Sequence, residues 1–405
     1  MSPASEATVS RLTENFDFHD PEYTPETAET VNRLIRGGSG VAYSSAHGGM
    51  WVLSRYEHVR DALRDHATFS SAEGVHFPRA AGLPKFSPID HDPPEHGKIR
   101  NLMAPPVRRE VVRELEPAFR KLSADLAGNV VARGGGDLVS EVSRPFAIGT
   151  LALTIGLSQE AQGRVRELTK TMWKYIATDP DATRFWPAYH DLLSEEIRKA
   201  KEDGSGSYLA WLAGATVDGE PIPDDLLYSI IVSYFVAGHD NTMNAVSRLL
   251  WHLSGDRELQ KELRERPDLR PLVAEESLRR WCPTDRFTRV TTRDVTIEGV
   301  TIPQGSRVVL LFDSANRDPD KFPEPEEFNP ERGNSYQHLS FGHGIHHCMG
   351  AHLSRMEFRT ILDEFARQPF FHRAEESRLS FENGRHILFD RIQVVFEGGG
   401  PGTAG

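Results

Sequence analysis

Cysteines, long apolar runs and a targeting signal are scarce or missing in this sequence of 405 residues, and each absence excludes a class of protein. The two cysteines, Cys282 and Cys348, are too few for the disulfide framework of a secreted domain. No stretch approaches the roughly 18 consecutive apolar residues of a membrane-spanning helix. The first residues have neither the basic nor the apolar part of a secretion signal. We therefore expect a soluble, cytoplasmic protein with reduced cysteines and no membrane partner.

Positive charge is also in short supply. The chain has 47 Lys and Arg against 59 Asp and Glu, which gives a formal net charge of −12. Such a surface repels nucleic acids on average, so we expect no nucleic-acid partner, although a local basic patch is compatible with this sum.

The composition is that of an ordinary globule, because 38% hydrophobic residues in a chain of this length can bury a large core. The sequence contains no internal repeat, no Ser/Gly linker and no abrupt change of composition. We predict a single domain over residues 19–396, with a flexible N-terminus at 1–18 and a flexible Gly-rich tail at 397–405.

Strand signals are few, and helical periodicity accounts for most of the chain. Short β-rich stretches occur near residues 40–53, 287–312 and 380–396. Apolar residues recur three or four apart over 107–131, as in an amphipathic helix. The segment 224–253 is apolar on every side, which is typical of a helix buried in the centre of a domain. The sequence thus predicts a mainly α protein with small β-sheets, of the α+β class.

The most informative motif is a Gly-rich loop that brings Cys348 to the start of a helix. A helix start supplies free N–H groups and partial positive charge, which favour the thiolate. A zinc site is one alternative, but adjacent residues cannot readily converge on one tetrahedral ion. Its ligands would be His343, His346, His347 and Cys348. The other alternative is a structural cysteine beside surface histidines, which is the common role of an isolated cysteine.

Four residues of this loop match the pattern F-x-x-G-x-x-x-C-x-G, and they give it a resemblance to the haem-binding loop of the cytochrome P450 family. The four are Phe341, Gly344, Cys348 and Gly350. The resemblance implies a triangular prism that holds haem b between a long central helix and the helix after the Cys loop. It makes Cys348 the axial ligand of the haem iron. The other loop and central-helix positions that it places at the haem are Ala237, Gly238, Phe341, Gly342, His346 and Gly350.

Two further groups of residues match the family in order and spacing. Glu276 and Arg279 resemble its E-x-x-R helix, and Arg332 resembles the third member of that ion cluster, for which we expect a structural role. Two haem propionates buried beside the porphyrin need fixed donors. The resemblance assigns this role to His96, Arg100, Arg289 and His346.

The central helix carries the segment from Ala237 to Thr242, which resembles the A-G-x-D/E-T-T oxygen-activating segment of the family. The resemblance implies a local distortion of the helix and a proton relay through Asp240, Asn241 and Thr242. Asn241 departs from the pattern, because its amide can donate a hydrogen bond but cannot release a proton as a hydroxyl does. Three possibilities stay open: Asn241 orders a relay water, the substrate supplies the hydroxyl, or the usual proton delivery is not needed.

The function that the resemblance implies is a haem-thiolate monooxygenase of the soluble bacterial class, which hydroxylates or epoxidises a small, mostly apolar organic substrate of secondary metabolism. Electrons would come from NAD(P)H through a ferredoxin reductase and a ferredoxin. An acidic ferredoxin needs a basic docking patch, for which the candidates are Lys98, Arg100, Arg108, Arg109 and Arg355. The alternatives are other haem-thiolate chemistry, such as peroxide-driven oxidation, oxidative coupling or nitration, and a non-catalytic haem sensor or recruitment protein.

The residues expected to face the substrate are mostly aromatic or aliphatic, as in other cofactor pockets. They are Val75, His76, Phe77, Phe235, Val236, His239, Asp285, Arg286, Phe287, Ile387 and Leu388. If Asp285 or Arg286 points inward, the substrate carries a polar group. The substrate could be free or bound to a carrier protein.

Overall fold

The computed structural model describes residues 5–79, 85–175, 186–202, 204, 206–377, 379–382 and 386–398. Helices dominate, and their ends follow local sequence rules. Helix α2, for example, begins with a proline after Thr24, whose side chain accepts a hydrogen bond from the Thr27 amide. Helix α6 ends at Gly156, whose φ of +82° is a left-handed conformation that suits glycine.

The α-helices of the described residues are α1 (Glu6–Glu14), α2 (Pro25–Gly37), α3 (Tyr56–Arg64), α4 (Glu95–Met103), α5 (Arg109–Ala132), α6 (Arg144–Ile155), α7 (Gln159–Tyr175), α8 (Trp186–Glu202), α9 (Tyr208–Ala213), α10 (Asp224–Phe235), α11 (Asn241–Leu253), α12 (Arg257–Glu265), α13 (Leu269–Arg280), α14 (Phe312–Ala315) and α15 (Ala351–Phe365).

The strands are β1 (Val41–Ser44), β2 (Met50–Leu53), β3 (Phe69–Ser70), β4 (Gly135–Asp137), β5 (Thr216–Val217), β6 (Glu220–Pro221), β7 (Arg286–Thr291), β8 (Val295–Ile297), β9 (Val300–Ile302), β10 (Arg307–Leu311), β11 (Phe371–Arg373), β12 (Leu379–Glu382), β13 (His386–Phe389) and β14 (Gln393–Phe396). The largest sheet has the order β1-β2-β10-β7-β3, in which only β2 and β10 are parallel. A second sheet has the order β11-β14-β4, and the remaining strands form the pairs β12-β13, β5-β6 and β8-β9.

The predicted central helix is confirmed over its whole length. Helix α10 continues through a single π-helical segment, Val236–Asp240, into α11. Residues such as Ile230, Ile231 and Val246 are completely buried, as the apolar sequence indicated. A π-turn inside an α-helix frequently marks a functional site, because it displaces backbone groups from the regular hydrogen-bond ladder.

The N-terminal segment differs from the sequence prediction. Within residues 1–18, predicted as flexible, the structure has helix α1, and its Leu12 is completely buried together with Phe16. Burial of these two apolar side chains stabilises the segment against the rest of the chain. The proposed limits of the domain stay a prediction. Within the described residues, no helix has the length and apolar character needed to cross a membrane.

Candidate active site

The loop that precedes α15 holds Cys348 in a fixed position. The Cys348 amide donates a 2.7 Å hydrogen bond to the Phe341 carbonyl, which closes the loop. Gly344 has a φ of +68°, and a Cβ at this position would lie 2.4 Å from the Leu63 carbonyl oxygen at the end of α3. Glycine is therefore required here both by conformation and by close packing. The loop is therefore packed closely against the last turn of α3.

The Cys348 side chain retains accessible surface, although burial raises the pKa of its thiol. Both properties fit a thiol that faces an internal cleft and not bulk solvent. The charges of Arg100 and Arg355 act in the opposite direction and favour the thiolate. A desolvated thiol of this kind is suited to a metal, because coordination removes the proton.

The four predicted propionate donors come together beside this loop. The rings of His96 and His346 have centroids 4.5 Å apart, and Arg100 donates a 2.7 Å hydrogen bond to the His347 carbonyl. Arg289 is almost completely buried, and among the described residues it has no ion pair; burial lowers its pKa to about 10. Burial, reinforced by Arg289, His96 and Arg100, lowers the pKa of His346 to about 2.

This cluster needs an anion. The His96 Nε2 and His346 Nδ1 atoms are buried without a hydrogen-bond partner. The other ring nitrogen of His346, Nε2, forms a 3.0 Å hydrogen bond with the Ser71 hydroxyl. Buried donors and a buried guanidinium without a counter-ion are unfavourable unless a ligand supplies acceptors. Two carboxylates on a flat macrocycle, held beside the Cys348 thiol, satisfy these groups. The residues present therefore fit haem, with Cys348 as the iron ligand.

The predicted ion cluster of Glu276, Arg279 and Arg332 is assembled in the core behind the loop. Both oxygens of Glu276 accept 2.8 Å hydrogen bonds from Arg279, and Arg332 Nε donates to Oε1 at 2.9 Å. The Ser335 hydroxyl and the Asn329 amide complete the shell of this carboxylate. The contacts of Arg332, Ser335 and Asn329 join α13 to the segment before the Cys loop, so the cluster fixes the approach of that segment.

The π-helical segment lies at the centre of the predicted oxygen-activating motif. The Asn241 side chain donates from Nδ2 to the Ala237 carbonyl at 3.2 Å, and its Oδ1 accepts a 2.9 Å hydrogen bond from the Thr284 hydroxyl. Asp240 is buried, with its Oδ1 3.1 Å from Nδ1 of His239. A Cβ on Gly238 would lie 3.1 Å from the side chain of Leu151, so this position favours glycine.

Thr242 lies apart from this group. Its hydroxyl donates to the carboxylate of Glu357 on α15 at 3.1 Å, and Thr150 on α6 donates to the same carboxylate at 2.6 Å. Burial raises the pKa of Glu357 to about 7, against the two hydrogen bonds, which lower it. Glu357 was not among the residues predicted from the sequence. Its position four residues from both Leu353 and Ile361 puts a carboxyl on an apolar helix face, which could have indicated a buried acidic residue.

Aromatic residues from three segments meet in the predicted pocket region. The ring of His76 contacts those of Phe86 and Phe287, with centroids 5.6 and 5.5 Å away. Val75, Phe235 and His239 are buried, whereas Phe77 lies beside the guanidinium of Arg307. Val236 is half-buried and begins the π-helical segment. Ile387 and Leu388 lie in β13, and their side chains fall outside the described ones.

The two charged residues of this region pair with each other, but Asp285 Oδ1 and Arg286 Nη2 are buried without a hydrogen-bond partner. Asp285 forms an ion pair with Arg286, whose guanidinium also stacks 4.1 Å from the ring of Phe18. Burial raises the pKa of Asp285 to about 7, partly opposed by Arg286 and reinforced by Asp313. The polar group expected on the substrate stays a prediction, and the two unpartnered atoms of the pair are compatible with it.

Comparison with known proteins decides the family. The sequence profile described as "Cytochrome P450" matches residues 270–372. Cytochrome P450 130 of Mycobacterium tuberculosis is 33% identical over 350 residues, which cover 83% of this chain and 86% of that protein. The chain belongs to the cytochrome P450 family.

Other relatives of this P450 agree in sequence and in fold. The beta-dihydromenaquinone-9 omega-hydroxylase of M. tuberculosis is 30% identical over 86% of this chain and 72% of its own length. Cytochrome P450 CYP109Q5 from Chondromyces apiculatus superposes with a TM-score of 0.82 at 26% identity, over 95% of this chain and 98% of its own. The predicted fold class and the prediction of a P450 monooxygenase are confirmed. Within the described residues, no group of three or more His, Cys, Asp or Glu side chains is placed to hold a metal ion.

Proposed function

We propose that this P450 monooxygenase hydroxylates or epoxidises a small, mostly apolar organic substrate of bacterial secondary metabolism, with electrons from a ferredoxin. The observation that carries the proposal is the set of buried polar groups without partners beside the Cys348 loop, which fits a haem. The π-helical turn of the central helix, which the resemblance places over the haem, supports a substrate site there.

The residues divide the work between binding and proton control. His96, Arg100, Arg289 and His346 would hold the two carboxylates of the haem, and Cys348 would ligate its iron. Bound there, haem with a thiolate ligand supplies the activation of dioxygen. Asp240, Asn241 and Thr242 form the proposed relay region.

Within that region Asp240 is the group that can transfer a proton, because the Asn241 amide cannot and the Thr242 hydroxyl is engaged by Glu357. Asn241 instead holds the helix carbonyl at Ala237 in place. Asn241 therefore does not itself deliver the proton, and a relay water ordered by Asn241, a substrate hydroxyl and a reaction without the usual proton delivery are all compatible with these bonds.

The pocket residues support an uncharged substrate. Their described side chains are mainly aromatic and aliphatic, and the Asp285–Arg286 pair neutralises itself. Two relatives have names that refer to apolar substrates, a dihydromenaquinone and a steroid; the second, the steroid C26-monooxygenase of M. tuberculosis, is 28% identical over 85% of this chain. Apolar burial supplies most of the binding free energy in such pockets.

A basic patch near the Cys loop supports ferredoxin as the electron donor. Arg108, Arg109 and Arg113 are exposed at the start of α5, and none of the three has an ion pair among the described residues. Burial lowers the pKa of His352, on the first turn of α15, and Arg109, Arg355 and Arg113 lower it further, so these charges lie close together. The patch would complement an acidic partner.

The other proposed patch residues are already engaged. Lys98 pairs with Asp218, Arg355 pairs with Glu275, and Arg100 donates to the Cys loop. One solved neighbour, of which this chain covers 53% at 25% identity, is an intact type IV self-sufficient P450 monooxygenase, so a separate ferredoxin stays a proposal for this chain.

The reaction is tested with labelled dioxygen. The purified haem protein is first titrated with terpenoid, macrolide, aromatic and amino-acid-derived ligands, and the spin state of the haem is followed. A ligand that shifts it is then turned over with ferredoxin, reductase and NAD(P)H under ¹⁸O₂. We expect one labelled oxygen atom in the product; turnover with peroxide alone would favour the alternative haem-thiolate chemistry, which Asn241 keeps open. If no free ligand shifts the spin state, carrier-bound ligands are tested next.

The electron donor is tested by charge reversal. The variant Arg109→Glu should raise the KM for ferredoxin about tenfold at low salt and less at high salt, because interactions between exposed charges are screened. The matched control is Arg33→Glu on α2, which reverses an exposed arginine remote from the patch in sequence. Equal effects of the two variants would contradict a docking role for the patch.

A further inference from the structure

Asn241 uses both polar ends of its side chain in fixed hydrogen bonds. Nδ2 donates to the Ala237 carbonyl at 3.2 Å, one turn earlier in the π-helical segment, and Oδ1 accepts from the Thr284 hydroxyl at 2.9 Å. Thr284 belongs to the short connection between α13 and β7, so the amide links the central helix to the start of the sheet.

The chemistry of the two partners fixes the orientation of the amide. The Ala237 carbonyl can only accept, so it must face the NH₂ group of Asn241. The other end of the amide then presents Oδ1 to Thr284, which can donate. Thr284 is buried, its β-branch restricts rotation about χ1, and the Cys282 thiol donates to its carbonyl, which holds the backbone at this position.

A threonine at position 241 would have to make both contacts through one atom. Its hydroxyl can donate to one group and accept from another, but it lies one bond closer to the backbone than Nδ2 and Oδ1 of asparagine, so it does not reach two partners on opposite sides as the amide does. The pair of Asn241 and Thr284 therefore forms a unit, and neither residue makes this link alone. One N–H of Asn241 remains beyond the bond to Ala237.

We propose that Thr284 is a positioning residue that fixes the orientation of the Asn241 amide. Through this amide it also holds the π-helical turn of the central helix and directs the remaining N–H of Asn241. The proposal deepens the proposed function and rests on it for its consequence in turnover. It assigns Thr284 no contact with substrate or haem. It explains how this chain keeps an ordered donor where the family pattern has a hydroxyl.

The first test needs neither substrate nor ferredoxin. The haem protein is reduced chemically, carbon monoxide is bound, and the C–O stretching band is recorded by infrared spectroscopy. A locked donor gives one narrow band. Thr284→Val removes the hydroxyl at nearly constant volume and should shift or split this band, whereas Thr284→Ser keeps the hydroxyl and should restore it.

Coupling between the two residues is tested by a double-mutant cycle. Asn241→Leu removes both hydrogen bonds of the amide and should shift the band by itself. In that background Thr284→Val should add nothing, because its partner is already absent. The proposal would be overturned if Thr284→Val changed the C–O band equally in the parent and in the Asn241→Leu background. An unchanged band in Thr284→Val alone would also overturn it.

The second readout is turnover. The share of electrons lost to peroxide should rise about fivefold in Thr284→Val, as expected for the loss of one hydrogen bond of roughly 1 kcal/mol. Thr284→Ser should stay near the parent value, and a rise in both would contradict a hydroxyl-specific role. If Thr284→Val fails to fold, Thr284→Ser and Asn241→Leu still decide the matter: the first must preserve the narrow band and the second must lose it. A parent protein without the spectrum of a thiolate-ligated haem would count against the proposed function and not against this pair.

Discussion

The buried carboxyl of Glu357 makes the stability of this P450 depend on pH in an unusual direction. Burial raises its pKa from 4.5 to about 7 in the folded protein, although Thr150 and Thr242 both donate to it. The folded state therefore keeps a proton that the unfolded state releases at lower pH. Stability must fall as the pH rises from about 4.5 to about 7, and the loss is complete above that window.

The magnitude follows from the two pKa values. A difference of one pKa unit corresponds to about 1.4 kcal/mol, so the free energy of unfolding loses roughly 3 kcal/mol across the window. For a protein of 405 residues this corresponds to about 4 °C in the unfolding temperature. Glu357→Gln has no charge at any pH and keeps groups that can pair with both threonines, so it should escape this loss.

The assay is thermal unfolding of the haem-loaded parent and variant in parallel between pH 4.5 and 8. The variant should gain about 4 °C relative to the parent over this range. Other titrating groups are shared, and their effects cancel in the difference. Glu258→Gln on α12, whose side chain is 81% exposed, controls for the removal of an acidic charge. A constant difference between Glu357→Gln and the parent at every pH would refute the reasoning.

Three other substitutions probe the scaffold. Glu276→Gln should lower the free energy of unfolding by about 3–5 kcal/mol and reduce the haem content, because it leaves two buried arginines without their carboxylate. Chemical unfolding measures the loss of stability, and haem absorbance measures the haem content. Gly344→Ala should prevent tight haem binding, because its Cβ would meet the Leu63 carbonyl. The control Gly299→Ala has a similar φ but open space around it, so it should lower the free energy of unfolding by only about 1 kcal/mol. Similar haem contents in the two variants would contradict the packing argument. Asp90→Asn should weaken every spin-shifting ligand severalfold in titration, because the Asp90 carboxylate accepts from the amides of Val75 and Phe86, two residues of the predicted pocket region; unchanged affinities would show that these hydrogen bonds do not shape the pocket.

The parts of the site that could be predicted are those set by local spacing. Glu276 and Arg279 are one helical turn apart, so their ion pair follows from the helix itself. The Cys348 loop was recognisable because its glycines and its thiol must keep fixed separations. The central helix was visible because every face of it is apolar.

The parts that were missed depend on rotation and on partners distant in sequence. Adjacent helix residues point about 100° apart, and the π-turn changes this phase, so the sequence could not show that Thr242 contacts Glu357 while Asn241 contacts Thr284. Asp285 lies just before β7 begins, where the alternation of strand faces does not yet apply, and it pairs with its own neighbour Arg286.

The order of strands in the large sheet also determines when the sheet can be completed during synthesis. The hairpin of β1 and β2 is synthesised early, but the second neighbour of β2 is β10, in which Val308 lies opposite Trp51. At about 5–20 residues per second, the ribosome needs roughly 13–50 s to reach that partner. Throughout this time one edge of β2 lacks its strand and can pair with other chains. The sheet is thus completed only after most of the helices have been synthesised, and the yield of folded protein should depend on how well this edge is protected in the interval.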